Sequence, residues 1–216
     1  MEKILEGLYR FQRDVYPTQR SHFESLANRQ TPDVLFITCS DSRIVPNLLT
    51  QTEPGELFII RNAGNIVPPY GEVQGGVSAT IEYAIMALNV KNVVICGHLD
   101  CGAIKGILHP EMVSEMPTVA AWLKHGDAAR RVVNDAFPEL KGDQRLAAIT
   151  RENVAAQLRN LTTHPCVAAK MARGELTLHG WIYNIKTGEV QIYEWQSHSF
   201  VALNGDKDVR DAALAG

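Results

Sequence analysis

Five short runs of this chain are built almost entirely from apolar and β-branched residues, or alternate them with polar ones. They are VLFIT (34–38), LFIIR (57–61), VVICG (93–97), LTLHGWIYN (176–184) and EVQIYEW (189–195). The first three carry almost nothing polar, which predicts short strands covered on both faces. The last two alternate, and Lys186-Thr187-Gly188 between them predicts a hairpin turn. That turn makes the final strand antiparallel and places it at an edge. Between the strands the period changes. In GGVSATIEYAIMALNV, residues Val77, Thr80, Ile81, Ala84, Ile85 and Leu88 recur every three or four positions, predicting an amphipathic helix. Pro117 opens another helix, with Val119, Trp122 and Leu123 on one side. Val154, Leu158 and Leu161 mark a third, and HPCVAAKMARG a fourth, with Pro165 in its first turn and Gly174 just past its end.

Strands alternating with helices predict an α/β fold with a parallel sheet and right-handed crossovers. In such sheets the carboxyl ends of the strands share one edge, where ligands bind at a topological switch point. Cys39 follows the first strand and His98 the third. If those strands are neighbours, the two residues meet in space. Upstream, MEKILEGLYRFQRDVY places Ile4, Leu5, Leu8, Phe11 and Val15 on a helical stripe, so residues 1–30 read as a helical arm. The pattern fits an arm packed on a neighbouring subunit and a helix packed on its own domain equally well. The segment from Gly205 onward is polar and is expected to fray. Without repeats or a linker, residues 1–216 read as a single domain.

Composition narrows the function. Apolar residues make up 45% and charged residues 21%, enough for a full core. A net charge of −3 gives no basic field, so neither nucleic acid nor an anionic lipid surface is expected as partner. No apolar stretch approaches the ~20 residues of a membrane span. The charged amino terminus has no signal-peptide pattern, and a cytoplasmic setting is expected, with the four cysteines (39, 96, 101, 166) reduced. Thiols of that kind serve core packing, metal binding or redox chemistry.

Two stretches carry the candidate chemistry, CSDSR (39–43) and VVICGHLDCG (93–102). Thiolate, imidazole and thiolate suit Zn²⁺, and three protein ligands leave one tetrahedral position for water. Against this, a lone H-x-x-C is weak and buried cysteine is often a small hydrophobe, so spacing alone leaves the two readings level. Asp41 and Arg43 tip the balance. Two residues apart on extended backbone, they can pair bidentately, keeping the carboxylate ionised and aimed. A local ion pair that merely tightens a loop is the plain alternative, but the pair follows a candidate ligand by two residues.

CSDSR, EPGELFIIRNAGN, GGVSATIEYA, CGHLDCGAIKG and HGWIYN, taken in order, resemble the bacterial β-class carbonic anhydrases over most of the chain. The resemblance implies a central, mostly parallel sheet in the order 2-1-3-4 with an antiparallel fifth strand. It implies one zinc per subunit on Cys39, His98 and Cys101, with Asp41 and Arg43 as the catalytic dyad. Family members are either open, with water on zinc, or regulated by bicarbonate, with the aspartate able to swing onto the metal. Gln30 matches the open form's pocket glutamine, and Phe36 stands where the regulated form has tryptophan. The open form is therefore expected, with Asp41 coordinating only at low pH. Phe58 and Tyr83 match the family's apolar pocket residues, and the Gly102 backbone N–H its substrate contact. In the family that pocket is completed across a dimer interface, which implies a homodimer or a dimer-based tetramer.

The activity so implied is reversible hydration of CO₂ to bicarbonate and a proton through zinc-bound hydroxide, a carbonate dehydratase serving carbon utilization. Two thiolates neutralise Zn²⁺, so bound water should ionise at a higher pH than in a three-histidine site, where its pKa is about 7. Hydration is then favoured at mildly alkaline pH. The rivals are a carbonyl sulfide or carbon disulfide hydrolase on the same scaffold, a zinc-stabilised binding module without activity, and a thiol redox protein. The last lacks any C-x-x-C pair. Cys96 is read as a buried strand thiol and Cys166 as helix packing, and no histidine other than His98 carries a motif.

Overall fold

A computed structural model describes residues 1–73 and 75–203, so the expected fraying beyond Gly205 lies outside the described residues. The amino-terminal arm is α1 (Glu2–Arg10), a π turn (Phe11–Val15), a 3₁₀ turn (Tyr16–Gln19) and α2 (Arg20–Leu26). Pro17 removes an N–H from the helical ladder at this break. Nothing in these four segments is buried. Ile4, Leu5 and Leu8 are each more than half exposed, so the apolar stripe finds no cover among the described residues. Phe11, Tyr16 and Phe23 pack on one another in the bend.

The sheet follows: β1 (Val34–Cys39), α3 (Pro46–Thr50), β2 (Leu57–Asn62), α4 (Gly76–Met86), β3 (Asn92–His98) and α5 (Gly102–Leu108). A helical stretch comes next, with α6 (Pro117–Leu123), α7 (Asp127–Ala136), α8 (Gly142–Thr162) and α9 (Pro165–Ala172). The chain then closes with β4 (Thr177–Tyr183), β5 (Val190–Glu194) and β6 (Ser199–Ala202). Strand order is 2-1-3-4-5-6, parallel through β4 and antiparallel from β4 to β6. The four parallel strands and the antiparallel fifth stand as predicted. The predicted edge does not: β6 pairs along β5 and becomes the edge itself. SFVA has four residues and only partial burial, too short a run to register as a strand in the sequence.

Alternation across the pleat builds two cores. Leu35, Ile37, Val93 and Ile95 face α4, α8 and α9 through Ile81, Ile85, Val154, Leu158 and Val167. On the other face Phe36, Val94 and Cys96 pack with Leu49 of α3 and with Trp181 and Tyr183 of β4. A third cluster matters most for the site. Ile66, Ile104, Ile107, Leu123, Val133 and Ile149 gather around Cys39 and Cys101 beyond the carboxyl ends of the strands.

Candidate metal centre

β1 pairs with β2 on one side and β3 on the other, so chain order reverses at the β1–β3 boundary. That is the switch point of an open α/β sheet, where no loop crosses the strand ends. Cys39 ends β1 and His98 ends β3. Asp100, in the left-handed region at φ 58°, then turns the chain back so that Cys101 precedes the first turn of α5. The result brings together residues 59 positions apart. Cys39 Sγ, Cys101 Sγ and one His98 nitrogen all lie within 4.8 Å of one another, and all three residues are buried.

The donor set fits a tetrahedral thiophilic ion on two observations. The two sulfurs are 3.8 Å apart and unbridged. Two Zn–S bonds of about 2.3 Å at the tetrahedral angle span about 3.8 Å, so neither cysteine has to move. His98 presents Nδ1 at 3.0 Å to the Leu99 carbonyl. Donating there fixes the tautomer and leaves Nε2 as a lone-pair donor. That Nε2 is buried without a hydrogen-bond partner among the described residues. A buried polar atom without a partner costs free energy unless something fills the gap, and a metal ion is the filler this triad matches.

Protonation within the triad is uneven. The Cys101 thiol donates to Cys39, which lowers the Cys39 pKa. His98 and the backbone N–H groups of Gly64 and Asp41 act in the same direction against the cost of burial. Cys101 gives up its proton less readily, because of that same hydrogen bond and then its burial. The shared hydrogen bond thus favours one thiolate in the pair even before an ion is bound. Gly64 reaches it from a turn after β2, where φ of 81° places glycine in the left-handed region. Trp122 Nε1 donates to the Ala63 carbonyl at 2.9 Å and Asn153 Nδ2 to the Gly64 carbonyl at 3.0 Å, so α6 and α8 hold the turn. Cys96, by contrast, sits on the opposite face with its thiol pushed up to about 12 by burial.

Asp41 and Arg43 pair as predicted. Arg43 Nε donates to Asp41 Oδ1 at 2.9 Å and Nη2 to Oδ2 at 2.8 Å, while the Arg43 backbone N–H adds a third bond at 3.0 Å. These bonds from Arg43 hold the Asp41 carboxyl well below the ordinary carboxylate range against a smaller cost of burial. Its Oδ2 lies 3.7 Å from His98 Nε2, beside the donor set and beyond hydrogen-bond length. Gly102 opens α5 next to Cys101, is exposed, and a Cβ built on it would meet nothing within 4 Å.

The remaining sequence-predicted residues sit elsewhere. Phe58 and Tyr83 meet each other, ring centroids 6.0 Å apart. Phe58 is in register with Leu35, four residues before Cys39 on β1, and so lies toward the opposite end of the sheet. Gln30 is exposed in the loop that enters β1 at that same end. Sequence reasoning also passed over several residues that shape the site. Asp100 receives Lys105 and lies 3.6 Å from Arg43. Arg61 donates into the Cys39–Asp41 turn. Asp100 could have been noticed for standing between two candidate ligands, whereas Arg61 reads as one polar residue in a strand.

Residues 34–190 match the family described as carbonic anhydrase. A carbonic anhydrase of Pseudomonas aeruginosa is 52% identical over 210 residues, covering 97% of this chain and 95% of that protein. Among solved structures, the β-carbonic anhydrase CcaA superposes with a TM-score of 0.92 at 46% identity, covering 95% of this chain and 92% of that one. A tetrameric β-carbonic anhydrase of Sordaria macrospora superposes with a TM-score of 0.74 at 28% identity, covering 88% and 92%.

Proposed function

The chain belongs to the carbonic anhydrase family, in its β class, and on that premise we propose a mechanism of zinc-dependent, reversible CO₂ hydration for its residues. The observation that carries it is the convergence of Cys39, His98 and Cys101 with an unpartnered Nε2. These three hold Zn²⁺, one per chain. Zinc held there supplies Lewis acidity, making water a nucleophile near neutral pH.

The protein's own groups do the positioning. Asp41, kept ionised by Arg43, accepts a hydrogen bond from the attacking water and so fixes where its lone pair points. Its depressed pKa means it accepts that hydrogen bond without keeping the proton, which leaves to solvent. The Gly102 N–H meets an oxygen of CO₂ as that oxygen gains charge on becoming bicarbonate. A neutral, linear substrate needs no charged funnel, in keeping with the net charge of −3. With zinc bound, the three ligands would leave room for water beside it, and Asp41 would join them only at low pH.

Gln30, Phe58 and Tyr83 serve as pocket residues for the site of a second subunit. Supporting this, they lie toward the amino ends of the strands, and Tyr83 is 49% exposed although aromatic. The uncovered arm stripe supports the same assembly, a homodimer or dimer-based tetramer in which the arm lies on its neighbour. Four reduced thiols fit a cytoplasmic enzyme of carbon utilization. The test is stopped-flow CO₂ hydration with metal analysis, on wild type and Cys39→Ser, beside sedimentation of each. Zinc near one per chain with rapid hydration, both lost in the variant, supports the reading. A zinc-loaded protein without hydration refutes it.

A further inference from the structure

Arg61 stands one residue before the end of β2, in register with Thr38 of β1. Among the described residues its guanidinium forms no ion pair with a carboxylate. It crosses instead to the turn after β1, where Nη2 donates to the Asp41 carbonyl at 2.7 Å and Nε to the Cys39 carbonyl at 3.2 Å. One rigid, planar group thus grips the carbonyls of the two residues that flank Ser40. The turn has other ties: the Ser40 N–H donates to the Asn62 carbonyl and the Ile44 N–H to the Asp41 carbonyl, both at 3.0 Å. Those ties close the turn, yet each restrains a single group. Among the described residues, only Arg61 links the carbonyl of a metal ligand to that of the residue whose carboxylate must be aimed.

We propose that Arg61 is a positioning residue for CO₂ hydration, fixing the Asp41 carboxylate relative to Cys39 through their two backbone carbonyls. The proposal rests on the role given to Asp41 above. A displacement of about 1 Å in such a group costs on the order of a hundredfold in rate. Lysine has the charge but not the planar fork, so it can hold one carbonyl and release the other.

The test uses the full-length, zinc-loaded protein with Arg61→Gln and Arg61→Lys, each also combined with Asp41→Asn. Zinc content and hydrogen–deuterium exchange are read beside kcat and KM. Arg61→Gln should keep its zinc and speed exchange over 39–44 alone. It should lower kcat by about tenfold or more with KM little changed, and Arg61→Lys should fall between. On the Asp41→Asn background the same change should cost less than about twofold, because both act through one group. Wild-type kcat, unchanged exchange over 39–44, loss of zinc, or an equal loss on the Asp41→Asn background would each overturn the proposal. A wild type without CO₂ hydration would instead strike the functional reading, leaving the exchange result to report on the clamp.

Discussion

Gly97 precedes the ligand His98 and faces α8, where a methyl group has no room. A Cβ there would meet Val154 Cγ2 at 2.7 Å, Ile182 Cδ1 at 3.3 Å and Asn65 Oδ1 at 3.5 Å. Carbon atoms pack comfortably at about 3.5–4.0 Å, so Gly97→Ala needs about 1 Å of relief. The Ile182 methyl ends a flexible side chain and can give. Val154 is fully buried and β-branched, so its γ-carbons move only with its backbone. The relief then comes from lifting α8 off β3 or pushing β3 away, which carries His98 with it. Overpacking of this kind costs about 1–3 kcal/mol. In a chain of this size that lowers the melting midpoint by roughly 2–12 °C. The assay is thermal and urea unfolding at fixed protein and zinc concentration, since both stabilise by mass action. The urea midpoint should fall with the slope unchanged. Gly97→Ala should cost less on a Val154→Ala background, where the clashing carbon is gone. A cost that is absent, or identical on both backgrounds, would show that the α8–β3 contact does not limit this position.

Other consequences follow from the site. Arg43→Ala should retain zinc but lower kcat about 10- to 100-fold, because Asp41 loses its bidentate partner; parallel metal analysis and stopped-flow rates check this. Asp41 ionises far below neutrality, so it is already charged across the working range and cannot supply the acid limb of the rate profile. Asp41→Asn should therefore lower the plateau and leave the limb's midpoint in place. Asp41's depressed pKa also sets a sign for stability. The ion pair contributes fully above the unfolded pKa of about 3.9 and is lost as pH falls toward the lower folded value. The stability difference between wild type and Asp41→Asn should therefore be constant above about pH 4 and shrink below it in an acid titration. Stripping zinc should lower the melting midpoint, and restoring it to 100 times its dissociation constant should return about 2.7 kcal/mol. Differential scanning of the stripped and reloaded protein measures that difference. If the exposed arm stripe packs on a neighbouring subunit as proposed, deleting residues 1–26 should reduce the assembled mass in sedimentation.

Much of this was legible before any coordinates. Apolar runs and their periods gave the five principal strands and the α4, α6, α8 and α9 helices, because burial on two faces or one leaves a local pattern. Residue chemistry gave Cys39, His98, Cys101 and the Asp41–Arg43 pair, because ligand types and short spacings are local as well. Distance between elements is not. That β1 lies beside β3, that two sulfurs rest 3.8 Å apart, and that His98 Nε2 is left without a partner all depend on strand order, which no run of residues encodes. Arg61 and Gly64 escaped notice for the same reason: each meets Cys39 across the sheet from more than twenty positions away. Phe58 and Gln30 lie toward the other end of the strands from the site on their own chain, so the pocket role proposed for them and for Tyr83 rests on a second subunit that no local pattern describes. Local pattern writes the elements and the reactive groups into the chain; which groups touch is settled where the elements pack.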